Sequence, residues 1–173
     1  MRLMIAAVGA ALLFLPMGPA AAAASSGFEI ETQEGWGEAM SPYQGVSASY
    51  VLDGSNARLD VSSQDAAGET DAGNLSWQDL FHPHFDLIDI QMDARTSLDG
   101  IPAKYCLYKI KKSNFKKELE GKADRLYLNY VVISGGLLYS MTFSDDEAAF
   151  AGHQQDFMRM VRGMRFARAP QNL

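Results

Sequence analysis

Residues 125–143 read RLYLNYVVISGGLLYSMTF. Two runs rich in β-branched, aromatic and aliphatic residues flank Gly135-Gly136, a dipeptide typical of a two-residue hairpin turn. Side chains alternate between the two faces of a strand, and here both faces carry apolar residues, with Tyr127 and Val131 on one and Tyr130 on the other. A central strand covered on both sides by helices explains this pattern. An open apolar groove for a ligand is the alternative.

The preceding residues predict a second hairpin. Ile88 to Thr96 alternates apolar and polar residues, as a half-buried strand does. The pattern predicts that the inward-facing residues are Ile88, Ile90, Met92 and Ala94. Asp99-Gly100 predicts the turn, and Lys104 to Ile110 predicts the returning strand. Adjacent strands joined by tight turns favour an antiparallel sheet over parallel βαβ units.

Two helices complete the predicted architecture. Ser76, with Asp79 three residues later, predicts the capped start of a short helix that Pro83 ends or kinks. Ser144-Asp145-Asp146-Glu147 predicts a capping box at the start of a longer helix. The apolar stripe of that helix consists of Phe150, His153, Phe157, Met160, Val161 and Met164. The predicted fold class is therefore α+β, an antiparallel meander sheet with helices packed on it.

The N-terminus predicts export. Arg2 precedes an uncharged apolar run from Leu3 to Leu15, and small residues follow up to Ala24. This order is that of a cleavable signal peptide, and the run is too short to span a membrane comfortably. We expect residues 1–24 to be removed, leaving 25–173 as one domain with a frayed C-terminal tail and no transmembrane segment. The expected location is the periplasm or the medium.

Charge is unevenly distributed along the chain. Residues 25–103 hold 2 basic and 14 acidic side chains, whereas residues 104–173 hold 12 basic and 7 acidic ones. All seven lysines lie between Lys104 and Lys122. We call residues 111–122 the lysine arm. Such asymmetry indicates either halves that attract each other or a basic surface for an anionic partner.

The lysine arm and the strand end before it supply the candidate binding residues. They are Lys109, Lys111, Lys112, Phe115, Lys116 and Lys117, with Phe115 as an apolar anchor between cations. The expected partner is a protein or an anionic surface of the cell envelope. Nucleic acid is not expected for an exported acidic protein. The alternative is a solvated hairpin whose lysines only blunt an edge strand.

Few features of the sequence indicate catalysis or metal binding. His82-Pro83-His84 places two imidazoles together, but zinc needs three or four ligands and no third ligand stands at a suitable spacing. Cys106, the only cysteine, alternates with Tyr108 as a core strand position does, and His153 lies on the apolar stripe. No nucleophile elbow, P-loop or dinucleotide fingerprint is present. We therefore expect no enzyme activity, no cofactor and no metal.

The order of these strands, turns and helices resembles that of a known fold group. The chain opens with Phe28-x-Ile30 and Gly35-Trp36, and it closes with Leu137 to Phe143, a helix and Met164-Arg165-Phe166. This order is similar to that of the PsbP-like (Mog1/PsbP/DcrB) α/β/α sandwich group over residues 27–166. The resemblance implies a small binding or assembly factor. The group shares no functional residues that could be transferred, and the lysine arm departs from its pattern.

These observations predict a non-catalytic exported protein of the cell envelope that binds or assembles other components through protein–protein contacts. The alternative is a carrier of a small apolar ligand in a cleft between the sheet and a helix. The sequence does not predict the oligomeric state.

Overall fold

The computed structural model of this protein describes residues 27–111 and 124–167. The predicted signal peptide, most of the lysine arm and the predicted tail lie outside the described residues. The strands are β1 (Phe28–Glu29), β2 (Trp36–Glu38), β3 (Val46–Leu52), β4 (Arg58–Asp65), β5 (Ile88–Leu98), β6 (Ile101–Ile110), β7 (Arg125–Ser134), β8 (Leu137–Asp146) and β9 (Arg165–Phe166). The α-helices are α1 (Trp77–Leu80) and α2 (Glu147–Gly163). Within the described part, neither helix is long and apolar enough to cross a membrane.

Seven strands form one antiparallel sheet in the order β2-β3-β4-β8-β7-β6-β5. The short strands β1 and β9 pair separately. The predicted meander is present from β5 to β8, and a second meander from β2 to β4 joins it along β8. Residues 66–87 connect β4 to the outer strand β5, and we call them the crossover segment. The α+β fold class is confirmed.

Both predicted two-residue turns are confirmed. Gly135 and Gly136 have φ angles of 59° and 81°, and Asp99 and Gly100 have φ angles of 51° and 73°. Two successive residues with positive φ give the turn whose twist matches antiparallel strands. The two hairpins thereby place β5, β6, β7 and β8 side by side.

The sheet is covered on both faces. Helix α2 packs on one side, which we call the helix face, and its Phe157 stacks on Phe143 of β8 with ring centroids 4.9 Å apart. The crossover segment packs on the other side, which we call the crossover face, and its Phe81 meets Tyr108 of β6 at 5.0 Å. Two buried clusters result, one on each face. The two-sided burial predicted for β7 is therefore confirmed, with Leu128 and Val131 both 1% exposed.

Strand β5 departs from its predicted alternation. Ile90 pairs with Tyr108, but the next paired residue, Met92, pairs with Leu107, so that Gln91 is an extra residue in a β-bulge. A shift of one residue moves every following side chain to the opposite face. The prediction that Met92 faces inward with Ile90 is therefore wrong, and Met92 is 46% exposed at the outer strand.

The two predicted helix caps had different outcomes. The Ser76 hydroxyl accepts the Asp79 N–H at 3.0 Å, which confirms the first. The second is wrong, because Ser144 belongs to β8 and Asp146, which precedes α2, forms no side-chain cap bond. Ser144 and Asp146 instead contact Arg125 of β7, and these tertiary contacts take the place of the local cap.

Candidate functional site

In sequence, the lysine arm connects β6 to β7. Of the predicted binding residues, the structure places Lys109 and Lys111 at the end of β6. The others, Lys112, Phe115, Lys116 and Lys117, lie outside the described residues. The site can therefore be built from its base, where the two ends of the arm join the sheet.

The incoming end of the arm is bonded to two elements. The Lys109 ammonium lies 2.6 Å from a carboxylate oxygen of Glu147, the first residue of α2. The Lys111 N–H donates to the Leu87 carbonyl at 2.8 Å and so ties the strand end to the crossover segment. Exposed ion pairs contribute little to stability, because water screens them. The Lys109–Glu147 pair nonetheless neutralises one of the predicted binding cations.

The outgoing end of the arm is bonded to the β3–β4 loop and to the start of α2. The Arg125 guanidinium donates to the Asn56 carbonyl at 2.7 Å and to the Ser144 hydroxyl at 3.2 Å. It also lies 3.9 Å from the Asp146 carboxylate, which accepts the Asn56 side-chain amide at 2.7 Å. The Glu147 N–H donates to the Asp124 carbonyl at 2.7 Å. The start of β7 is thus joined to the β3–β4 loop and to α2.

Three consecutive acidic residues organise this end of the molecule. The Asp145 carboxylate is 1% exposed, lies 2.7 Å from Nδ1 of His153 and accepts the Asp146 N–H at 2.8 Å. Asp146 and Glu147 pair with Arg125 and Lys109, as described above. Each acid therefore reaches a different element, which explains why none of them serves the predicted capping box. His153, a member of the predicted apolar stripe, is therefore hydrogen-bonded at the edge of the core.

The base of the arm is nearly balanced in charge. Among its three basic side chains, only Lys111 makes no ion pair with the described residues. Positive charge for an anionic partner must therefore come from Lys111 and from the lysines farther along the arm. Lys109 is thus already paired with Glu147, whereas the binding role of Lys112, Phe115, Lys116 and Lys117 stays a prediction.

Polar side chains of β3 and β4 form a hydrogen-bonded group on the crossover face that the sequence did not predict. The Arg58 guanidinium donates to the Ser49 hydroxyl at 2.6 Å and lies 3.5 Å from the Asp60 carboxylate, which also accepts the Ser41 hydroxyl at 3.3 Å. Burial raises the pKa of Asp60, although hydrogen bonds from Ser49 and Arg58 oppose the shift. Arg58 and Asp60 are two residues apart in β4 and therefore lie on one face of the sheet. Their pairing with the Ser49 side chain could not be read from spacing.

The described residues give no support to thiol or metal chemistry. Cys106 is completely buried, and burial raises the pKa of its thiol far above the ordinary value. A reactive cysteine needs an accessible thiolate, so the expected core role is confirmed. His82 and His84 belong to no group of three or more metal-binding side chains within residues 27–111 and 124–167.

The space that a carrier of apolar ligands would need between the sheet and α2 is filled by aromatic side chains at β7 and β8. Phe143 packs against Phe150 and Phe157 of α2, each with ring centroids 4.9 Å apart, and Tyr130 lies 5.9 Å from Phe157. Side chains packed in this way occupy the space between sheet and helix. No observation therefore favours this alternative.

Comparison with known proteins identifies the fold. No family model matches the sequence, and no curated protein matches it. Among solved structures, cyanobacterial PsbP (CyanoP) from Synechocystis sp. PCC 6803 superposes with a TM-score of 0.56 at 12% identity, over 88% of this chain and 99% of that one. This chain has the PsbP-like fold.

Two further bacterial structures share the PsbP-like fold. LpqN of Mycobacterium tuberculosis, described as involved in cell envelope biogenesis, has a TM-score of 0.54 at 10% identity. PA94 of Pseudomonas aeruginosa, described as a protein of unknown function and putative regulator, has a TM-score of 0.51 at 12% identity. Both matches cover 81% of this chain and 83% of the other. Identities this low establish the fold alone.

Proposed function

We propose that this PsbP-like chain is a non-catalytic binding or assembly protein of the cell envelope, which acts after export through protein–protein contacts made by the lysine arm. The observation that carries the proposal is the anchored base of the arm. Ion pairs and hydrogen bonds hold both of its ends, while every lysine of the chain lies between Lys104 and Lys122. A positive segment on a fixed base can present several cations to one acidic partner.

Export and envelope location are part of the same proposal. The N-terminal pattern supports cleavage after Ala24 and release into the periplasm or the medium. LpqN, which shares the fold and is involved in cell envelope biogenesis, adds support for a role in the envelope. The buried state of Cys106 favours binding over thiol catalysis. No cofactor is part of the proposal.

The test is crosslinking of the tagged, exported protein in its native envelope, followed by affinity purification and mass spectrometry. The variant Lys112→Glu/Lys116→Glu reverses two charges on the arm. The matched control, Arg159→Glu/Arg162→Glu, reverses two exposed charges on α2. We expect one dominant protein partner, reduced about tenfold or more by the arm variant and unchanged by the control, since loss of two cation contacts costs roughly this much.

Two outcomes would contradict the proposal. Equal capture by the arm variant and the wild-type protein would show that the arm is not the contact surface. A purification without any stoichiometric protein, combined with a lipid or metabolite retained in native mass spectra, would favour the carrier of an apolar ligand instead. Circular dichroism of both variants establishes that they remain folded.

A further inference from the structure

Strand β5 forms the outer edge of the sheet beyond β6. The backbone groups on the outer side of an edge strand are free to pair with another strand. Within the described part of the chain, no strand pairs with β5 on this side. The side chains of Asp93, Arg95, Thr96 and Ser97 are exposed. The edge is therefore open where those residues lie.

The open part of the edge is regular. From Met92 to Leu98, β5 pairs with β6 without any shift in register. The bulge at Gln91 precedes this part, and bulges disturb the pairing of an edge strand. The strand thus has a blunted first part and a regular second part. The regular part is suited to strand addition.

The regular part of β5 carries one acidic and one basic residue that can pair with each other between two copies of the chain. Asp93 pairs with Cys106 and Arg95 with Lys104, which places both side chains on the crossover face. When two copies of β5 lie antiparallel with Ala94 opposite the partner's Ala94, each Asp93 lies opposite the partner's Arg95. Opposite charges directly across two strands attract. The twofold symmetry of the pairing produces this contact twice.

The two charged groups are available for such a contact. Asp93 makes no ion pair or hydrogen bond with the residues that the structure describes. Arg95 donates from Nη2 to the Gly73 carbonyl at 3.2 Å, and the remaining guanidinium donors are not used by that bond. In the same register, Met92 lies on the helix face opposite the partner's Thr96. This contact would cover a methionine side chain that is 46% exposed in the single chain.

We propose that a second copy of this chain binds along the outer edge of β5, antiparallel and centred on Ala94, so that two seven-stranded sheets become one continuous sheet. The inference concerns a surface other than the lysine arm and does not depend on the proposed function. It assigns to Asp93 and Arg95 the role of setting the register between the two copies.

Sedimentation velocity of the purified exported protein tests the proposal, over concentrations from about 1 μM to about 1 mM. Three variants are compared with the wild type. Asp93→Arg and Arg95→Asp each place like charges opposite each other twice in the dimer. Asp89→Arg makes the same charge change as the first but lies before the bulge, outside the proposed contact. Thermal unfolding measured by circular dichroism verifies that all the variants are folded.

The wild type is expected to dimerise, and each of the two single variants to raise the dissociation constant about tenfold or more, because two attractive pairs become repulsive. Asp89→Arg should leave the constant unchanged. An equimolar mixture of Asp93→Arg and Arg95→Asp should associate about as tightly as the wild type, because the reversed charges complement each other. A wild type that stays monomeric over the whole range would overturn the proposal. A dimer that ignores both single variants, or a mixture that fails to associate, would also overturn it.

Discussion

A regular helix covers one face of the sheet, and a mostly irregular segment covers the other. On the helix face, the 17 residues of α2 present a stripe of apolar side chains to the strands. Phe157 and Met160 are completely buried there. The crossover face is covered by residues 66–87, in which α1 has only 4 residues. A helix satisfies its own backbone, whereas an irregular segment leaves carbonyl and N–H groups that need partners.

This difference appears in the polar atoms that each face buries. On the crossover face, Lys104 is 7% exposed, donates to the Leu75 carbonyl and lies 4.2 Å from the centroid of the Trp77 ring. The Tyr108 hydroxyl and the Trp77 Nε1 are buried and have no hydrogen-bond partner among residues 27–111 and 124–167. On the helix face, the indole of Trp36 is the corresponding case within the described residues. The crossover face therefore carries more of the unfavourable desolvation, and we expect the helix face to supply more of the stability.

The largest expected effect compares one phenylalanine from each face. Phe157→Ala should lower the free energy of unfolding by about 3–5 kcal/mol, because it leaves a cavity against a regular helix. Phe81→Ala should cost at least about 1 kcal/mol less, because an irregular segment can collapse into the space. Urea denaturation followed by circular dichroism measures both values. Equal losses would show that the crossover segment is as rigidly packed as α2.

A smaller effect concerns one hydroxyl from each face. Tyr108→Phe removes a buried O–H group that has no partner in the part of the chain that the structure describes, so stability should stay the same or rise by up to about 1 kcal/mol. The control Tyr139→Phe removes a hydroxyl that donates to the Gly27 carbonyl at 3.1 Å, and it should cost about 1 kcal/mol. The same denaturation experiment compares them. A clear loss in Tyr108→Phe would mean that its hydroxyl has a partner in solution.

The features that the sequence predicted correctly depend on neighbours along the chain. Gly135-Gly136 and Asp99-Gly100 specify their turns by backbone conformation, and the stripe on α2 follows from helical spacing. The Ser76 cap depends on Asp79, only three residues away. These short-range features determine the β5–β8 meander and its helix. They were sufficient for the fold class.

The features that the sequence did not predict depend on residues far apart in the chain. Gln91 gives no local sign of a bulge, and its effect on Met92 follows from pairing with β6. The cap predicted at Ser144 is wrong because the Ser144 hydroxyl accepts from Arg125 and the Glu147 N–H donates to the Asp124 carbonyl instead. The candidate site shows the same limit. Clustering of lysines in sequence located the arm, but the pairing of Lys109 with Glu147 bridges 38 positions.

The smallest expected effect is a change with pH that comes from the crossover face. Burial lowers the pKa of Lys104 below its ordinary value of 10.5, although Cys106, Asp93 and Asp79 partly oppose the shift. Between the lowered value and 10.5, the unfolded chain holds a proton that the native protein has lost. Stability contributed by this group must therefore rise with pH in that window. The variant Lys104→Met lacks the titrating group and should lack this contribution.

The comparison is best made as a difference, because other groups titrate in the same range. Burial raises the pKa of Tyr108 and of the Cys106 thiol, which lowers stability at high pH in every variant and largely cancels between them. The free energy of unfolding of the wild type minus that of Lys104→Met should increase from pH about 7 to about 10.5. Lys104→Arg should give the same slope with a different offset, because a guanidinium stays charged throughout. If neither difference changes with pH, the Lys104 ammonium is hydrated in the native protein. Water would then reach the sheet on the crossover face, which would be packed less tightly than the helix face.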